Sequence, residues 1–229
     1  MACTTLIYKL NRLVASGALE QNGKKRGAME PWLKEVQLEG ASVRLRPLRT
    51  EDRDALLRAA QDGELWRLWF TGVPSEQSVE QYITSALKDQ ALGLSLAFVV
   101  EHKATGKVIG STRFCNAVAQ HRRIEIGYTW YSQSFQKTSV NTQCKQLLLE
   151  HAFSSLHAIA VEFRTHWHNH ASRTAIARLG AKQDGVLRNH SIEPDGAYRD
   201  TVVFSIVESE WPSVRKGLLF KLAQRRPEI

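Results

Sequence analysis

The chain has 229 residues, 43% hydrophobic and 24% charged, an ordinary globular composition that can bury a core without disulfides or metal. Its three cysteines, Cys3, Cys115 and Cys144, are scattered and form no CxxC, which argues against a disulfide framework or zinc knuckle and for a reducing, cytoplasmic setting. No apolar run approaches the ~20 residues of a membrane helix, so no membrane partner is expected, and the net charge of +8 favours acidic partners: nucleic acid, a ribosome surface or a polyanionic cofactor.

The first segment, MACTTLIYKLNRLVASGALEQNGKKRGAM, starts apolar but lacks the continuous hydrophobic centre of a signal peptide. NGKKRG, Asn22 to Gly27, reads as a flexible, solvated link, and Met29 is a second candidate start. Residues 1–35 are expected to form a flexible extension, residues 36–212 one folded domain, and residues 213–229 a basic tail.

Within the domain, ASVRLRPLR (Ala41 to Arg49) alternates as a strand does. Thr50 reads as the N-cap of a helix with acids in its first turn. Ser75 to Gln90 carries Val79, Tyr82, Ile83 and Leu87 at helical spacing. Leu94 to His102, the turn KATGK and VIGSTRFCNA read as a hairpin, with Arg122 to Tyr131 as a third strand beside it. TSVNTQCKQLLLEHAFSSL is the strongest helix, with Val140, Cys144, Leu147, Leu148 and Phe153 on its apolar face. AIAVEFRTHW returns to strand, ASRTAIARLGA is a short helix with Gly180 as its C-cap, and two strands flank a Pro-Asp-Gly turn at 194–196. The order β, α, α, three β, α, β, α, β, β means a mixed sheet with helices on its faces.

One stretch concentrates chemistry. In EIGYTWYSQSFQKTSVNTQ a strand gives way to a polar loop and then to a helix starting near Ser139. The unpaired N–H groups of a helix's first turn, with the helix dipole, form an anion site, and phosphate is its usual occupant. A capped helix after a loop is the plainer alternative.

That stretch, followed by VEFRTHWHNHASRTAIARLGAKQDGVLRNH and DGAYRDTVVFSI, resembles the GNAT acetyltransferase superfamily, most nearly its RimJ/RimL-type branch. The likeness runs from about Val43 to Trp211 in several segments in the right order. It implies an α/β fold with a central mixed, mostly antiparallel twisted sheet of about seven strands and helices on both faces. It implies an acetyl-CoA-dependent N-acetyltransferase with no metal.

The resemblance also places residues. The family's loop cradles the donor's pyrophosphate, and here that run is Gln136, Lys137, Thr138, Ser139, Val140, Asn141 and Thr142. Ser139 and Asn141 stand where the family has small residues, glycine first; a serine Cβ in place of glycine is expected to crowd a phosphate and weaken binding. Tyr128, Thr129 and Trp130 would flank the pantetheine arm, opposite the strand that ends at His166–Trp167. Asn169 would hold the pantetheine amide and Ser172 would sit near the thiol.

An acceptor amine is an ammonium at neutral pH and must lose a proton before attack. Glu125, between Ile124 and Ile126 on the third strand, is the candidate base; partial burial would raise its pKa. The plainer reading pairs it with Arg122 or Arg123. Tyr128 or Ser172 would protonate the departing thiolate, and transfer would be direct, with the oxyanion meeting a backbone N–H of the same strand. Cys144 is expected in the core. Trp66, Trp69 and Phe70 would wall the acceptor site and hold a cation against their rings, unless they simply pack a helix end.

The acceptor is expected to be a small-molecule amine or a protein N-terminus, with weak ribosome association, in a monomer or homodimer. The rivals are a basic nucleic-acid or ribosome-binding module, and a pseudo-enzyme that binds CoA poorly because of Ser139. RTHWHNHAS sets His166, His168 and His170 two apart, as a metal site on a strand would. The strand is expected to end near Trp167 and a helix to start after Asn169, so the three rings should not share a face, and no metal is expected.

Overall fold

A computed structural model describes residues 31–224, and of these residues 32–224 pack as one compact unit. Cys3, the NGKKRG link and Met29 lie outside the described residues.

The elements in chain order are β1 (Leu38–Glu39), β2 (Val43–Pro47), α1 (Arg53–Gln61), α2 (Val79–Ala91), β3 (Leu96–His102), β4 (Lys107–Val118), β5 (Arg123–Tyr131), α3 (Val140–Glu150), β6 (Ala160–His166), α4 (His170–Leu179), β7 (Lys182–Ile192), β8 (Tyr198–Val207) and α5 (Trp211–Gln224). They build one eight-stranded sheet in the order β1-β2-β3-β4-β5-β6-β8-β7. Every pairing is antiparallel except β5 with β6. The strand beyond the expected seven is the two-residue β1, too short to leave an alternating pattern.

Burial explains the layers. β3 reads LAFVV because it is covered on both faces: Leu96, Phe98 and Val100 enter one core, and Ala97 and Val99 enter the other. The first core is closed by α3, whose Val140, Cys144 and Leu148 recur every four residues and are fully buried. The second core is closed by α1 and α2 through Leu56, Ala60, Val79 and Ile83.

Three local expectations are corrected. Thr50 does not cap α1; a short 3-10 turn, Thr50–Asp52, comes first. There the Asp52 carboxylate pairs with Arg46 on β2 at 2.7 Å and accepts the Arg49 N–H at 2.8 Å. Residues 213–224, expected in a basic tail, belong to α5. Trp211 and Leu218, two turns apart, put one face of that helix into the core, with Trp211 stacked on Phe153 at 5.2 Å. Two of its basic residues have partners, Arg215 pairing with Glu150 at 2.5 Å and Lys221 donating to the Arg178 carbonyl. At the other end Leu33 is buried and Trp32 donates to the Leu156 carbonyl at 3.0 Å, so the core begins inside the segment assigned to the extension.

Two irregularities open the sheet. The β5–β6 pairing runs only from Arg123↔Ala160 to Glu125↔Glu162, and beyond it the strands part. In the same span Arg113 and Ser111 of β4 face Gly127 and Trp130, so Thr112 stands opposite both Tyr128 and Thr129. That extra residue is a β-bulge, and Tyr128 sits at its φ of +50°.

Candidate active site

A cavity of about 1150 Å³ fills the opening between β5 and β6. Its walls are β5 from Glu125 to Tyr131, β6 from Phe163 to His166, the loop before α3 with its first turns, α4, and His190, Ser191, Arg199 and Thr201 of the β7–β8 hairpin.

At one end lies the start of α3. Gln136, Lys137, Thr138, Asn141 and Thr142 all line the cavity. Gln136 Nε2 donates to the Tyr131 carbonyl at 3.0 Å, and Lys137 turns the chain with a φ of +62°. Thr138 Oγ1 donates to the Phe135 carbonyl at 2.7 Å and accepts the Val140 N–H at 3.3 Å. The N–H groups of Asn141 and Thr142 belong to the helix's first turn, which has no carbonyl of its own to offer them. Lys137, Arg178 and Lys221 add positive charge to the same walls. A diphosphate fits such a cradle.

Ser139 and Val140 do not line it. Val140 is fully buried in the first core. Ser139 is 9% exposed, and its hydroxyl accepts from Gln143 Nε2 at 3.1 Å. The serine Cβ is therefore not part of the cavity wall.

At the deep end, where the strands part, stands Glu125. It is 7% exposed, accepts from Asn116 Nδ2 at 2.8 Å and lies 3.5 Å from Arg164 Nε. Burial raises its pKa, opposed by the Asn116 bond and by the nearby cations Arg164 and Arg199. Its charged neighbour is thus Arg164 on β6; Arg123 pairs instead with Glu162. The sequence hides this because Arg164 comes from another strand.

The remaining expected residues divide. Thr129 and Trp130 line the cavity, Trp130 also packing into the second core with its Nε1 3.3 Å from Tyr82 Oη. Tyr128 lines it too, but its ring is 55% exposed and stacks 4.2 Å from the Arg113 guanidinium. Asn169 and Ser172 line it, with Asn169 Oδ1 accepting the Ser172 N–H at 3.0 Å as the cap of α4. Among the aromatics Phe70 lines the cavity, Trp69 stands exposed over His166 at 4.9 Å, and Trp66 packs into the second core. The proposed aromatic wall is therefore split among three environments.

The histidines separate as well. His166 ends β6 and is buried, His168 lies in the following turn, and His170 opens α4. Burial and the Arg199 cation lower the His166 pKa. Among the described residues no three His, Cys, Asp or Glu side chains are arranged to hold a metal ion. Cys144 is fully buried, and burial pushes its thiol up to about 12.

Several cavity residues escaped the sequence reading: Asn116, Arg164, His190, Arg199 and above all Lys145. Lys145 is 4% exposed on α3, beside Cys144, and its Nζ donates to Thr129 Oγ1 at 2.5 Å and Thr112 Oγ1 at 3.4 Å. A lysine among the apolar positions of a buried helix face was the available signal.

A sheet opened at a parallel pair, an anion cradle at one end and a buried carboxylate at the other define an acyl-transfer site. The sequence profile of the acetyltransferase (GNAT) domain matches residues 42–182, and the chain belongs to that family. It is an acetyltransferase, of a family that draws on acetyl-CoA and acts on amine acceptors. It is 26% identical over 176 residues to the uncharacterized N-acetyltransferase YoaA of Bacillus subtilis, covering 75% of this chain and 96% of that one. Among solved structures, a GCN5-related N-acetyltransferase from Brucella melitensis is similar at 30% identity and a TM-score of 0.76, over 85% of this chain and 88% of that one. RimJ from Mycobacterium smegmatis, solved in complex with CoA-disulfide, is similar at 25% identity and a TM-score of 0.67, over 82% and 93%.

Proposed function

We propose that the cavity takes acetyl-CoA along the opening between β5 and β6 and a primary amine at Glu125, with direct transfer in a ternary complex. The observation that carries this reading is the placement of a buried carboxylate of raised pKa at the point where β5 and β6 part, in the same cavity as the first turn of α3. The diphosphate meets Gln136, Lys137, Thr138 and the Asn141 and Thr142 N–H groups. The arm lies along Thr129 and Trp130, with Asn169 and Ser172 on the opposite wall. Glu125 takes one proton of the attacking ammonium, the amine nitrogen bonds to the acetyl carbon, the carbon–sulfur bond breaks, and the departing thiolate takes the nitrogen's surplus proton by way of Tyr128 or Ser172. The products are an amide and CoA.

RimJ/RimL-type membership, with a protein N-terminus as acceptor, is the finer reading, and the likeness to RimJ of Mycobacterium smegmatis over 82% of this chain supports it. The test is calorimetric titration with acetyl-CoA, followed by a screen of N-terminal peptides and small amines for thiol release. Binding at micromolar to low-millimolar concentration is expected, with Glu125→Gln lowering turnover about 10²-fold or more at unchanged CoA affinity. No binding at millimolar acetyl-CoA sinks the reading, and unchanged turnover in the variant removes Glu125 as base.

A further inference from the structure

Lys145 is the feature of the cavity that acetyl transfer, as just described, leaves unused. An ammonium has three protons to donate. Two acceptors are provided, Thr129 Oγ1 on β5 and Thr112 Oγ1 on β4, themselves 2.7 Å apart. The Phe163 ring of β6 lies 6.0 Å from Nζ, so the amine sits beneath the opening, between the two strands that part. The titratable groups that face it are Cys115 on β4 and Cys144 on its own helix, and burial raises both thiols, which keeps them uncharged. No carboxylate is among the groups that act on it. A buried, unpaired ammonium is unfavourable unless something brings it negative charge.

Lys145 is three to four residues beyond Asn141 and Thr142 on α3, about 4.5–6 Å further along the helix than the N–H groups of the phosphate cradle. It is bonded through Thr129 to the β5 bulge, where Thr112 faces two residues.

We propose that Lys145 is an anion-holding residue of the acyl-donor groove, presented by Thr129 and Thr112 to meet the negative charge of the bound donor's diphosphate. This rests on the reading of the cavity as an acyl-CoA groove. Burial lowers the Lys145 pKa to about 7, so the amine is poised between its two states in the resting protein. Charge appearing above it draws it to the ammonium form.

The test compares the wild-type chain with Lys145→Met, in which Thr112 and Thr129 keep each other as partners. CoA is titrated calorimetrically into both, thermal unfolding is recorded, and the lysine side chains are followed by NMR against pH with and without CoA. Expected are a wild-type lysine that titrates near neutrality and moves up by roughly one unit with CoA, and a variant that binds CoA roughly tenfold more weakly. The variant's melting temperature should equal or exceed the wild type's. Equal CoA affinity in the variant, or no lysine titrating below its ordinary range, overturns the proposal. Lost affinity accompanied by a lowered melting temperature also overturns it, by assigning Lys145 to the fold. If wild type itself binds no CoA, it is the groove reading that fails.

Discussion

Glu125 is held between opposing influences, and the balance can be moved one neighbour at a time. Burial raises its pKa; the Asn116 hydrogen bond and the Arg164 cation 3.5 Å away pull it back. Activity that needs the carboxylate rises with pH through that pKa, which lies above the ordinary 4.5. Arg164→Gln removes a lowering influence, so the rising limb of kcat/KM should move to higher pH by roughly half to one unit. A limb that stays or moves down would separate Glu125 from the reaction. Lys145 makes the opposite kind of prediction, on stability. Its folded pKa of about 7 lies below the unfolded 10.5, so between these values the unfolded chain binds more protons and stability rises with pH. The penalty is fully present below pH 7 and relieved toward pH 10.5. Denaturant unfolding of wild type and Lys145→Met should therefore show a gap favouring the variant at pH 6 that narrows at pH 9. The gap is on the order of a few kcal/mol at most. A gap independent of pH would mean that Lys145 is not buried as an unpaired amine.

At the scale of elements, what was legible followed a period. β3 and α3 declare themselves because burial on both faces of a strand, or along one face of a helix, repeats in the sequence. The bulge in β5 leaves no such trace: its cause is the pairing with β4, where Gly110 lets the chains approach. A Cβ on Gly110 would stand 2.2 Å from the Trp130 carbonyl oxygen. Gly110→Ala should push β5 away and destabilise the fold by about 1–3 kcal/mol, read as a lower denaturant midpoint; an unchanged midpoint would refute that close approach. α5 was missed for a different reason. Its net basic composition masked a single buried stripe, and only the cost of removing it reveals the stripe. Leu218→Ala should destabilise by roughly 2–5 kcal/mol, where a substitution in a solvated tail would cost almost nothing. The site follows the same division: the run from Gln136 to Thr142 was readable because it is contiguous. Arg164, Arg199 and Lys145 were not, because three separate elements bring them to the cavity.

For the molecule as a whole the charge of +8 admits two readings, and ionic strength separates them. Lys137, Arg178 and Lys221 place part of that charge on the cavity wall beside the phosphate cradle. If it serves a small polyanionic donor, acetyl-CoA affinity should fall several-fold as salt rises from ~0.05 to ~0.5 M, since the screening length shrinks from over 10 Å to a few Å. Acetyl-pantetheine, which lacks the phosphates, should bind with little salt dependence. A binding module for nucleic acid behaves otherwise. Its affinity for a duplex or a structured RNA would fall steeply with salt, through release of many counterions, and would ignore saturating acetyl-CoA. Titration of both ligands across the same salt series decides between them. A donor affinity insensitive to salt would remove the cations from the cradle. Nucleic-acid binding that acetyl-CoA abolishes would place both polyanions on the same wall of the cavity.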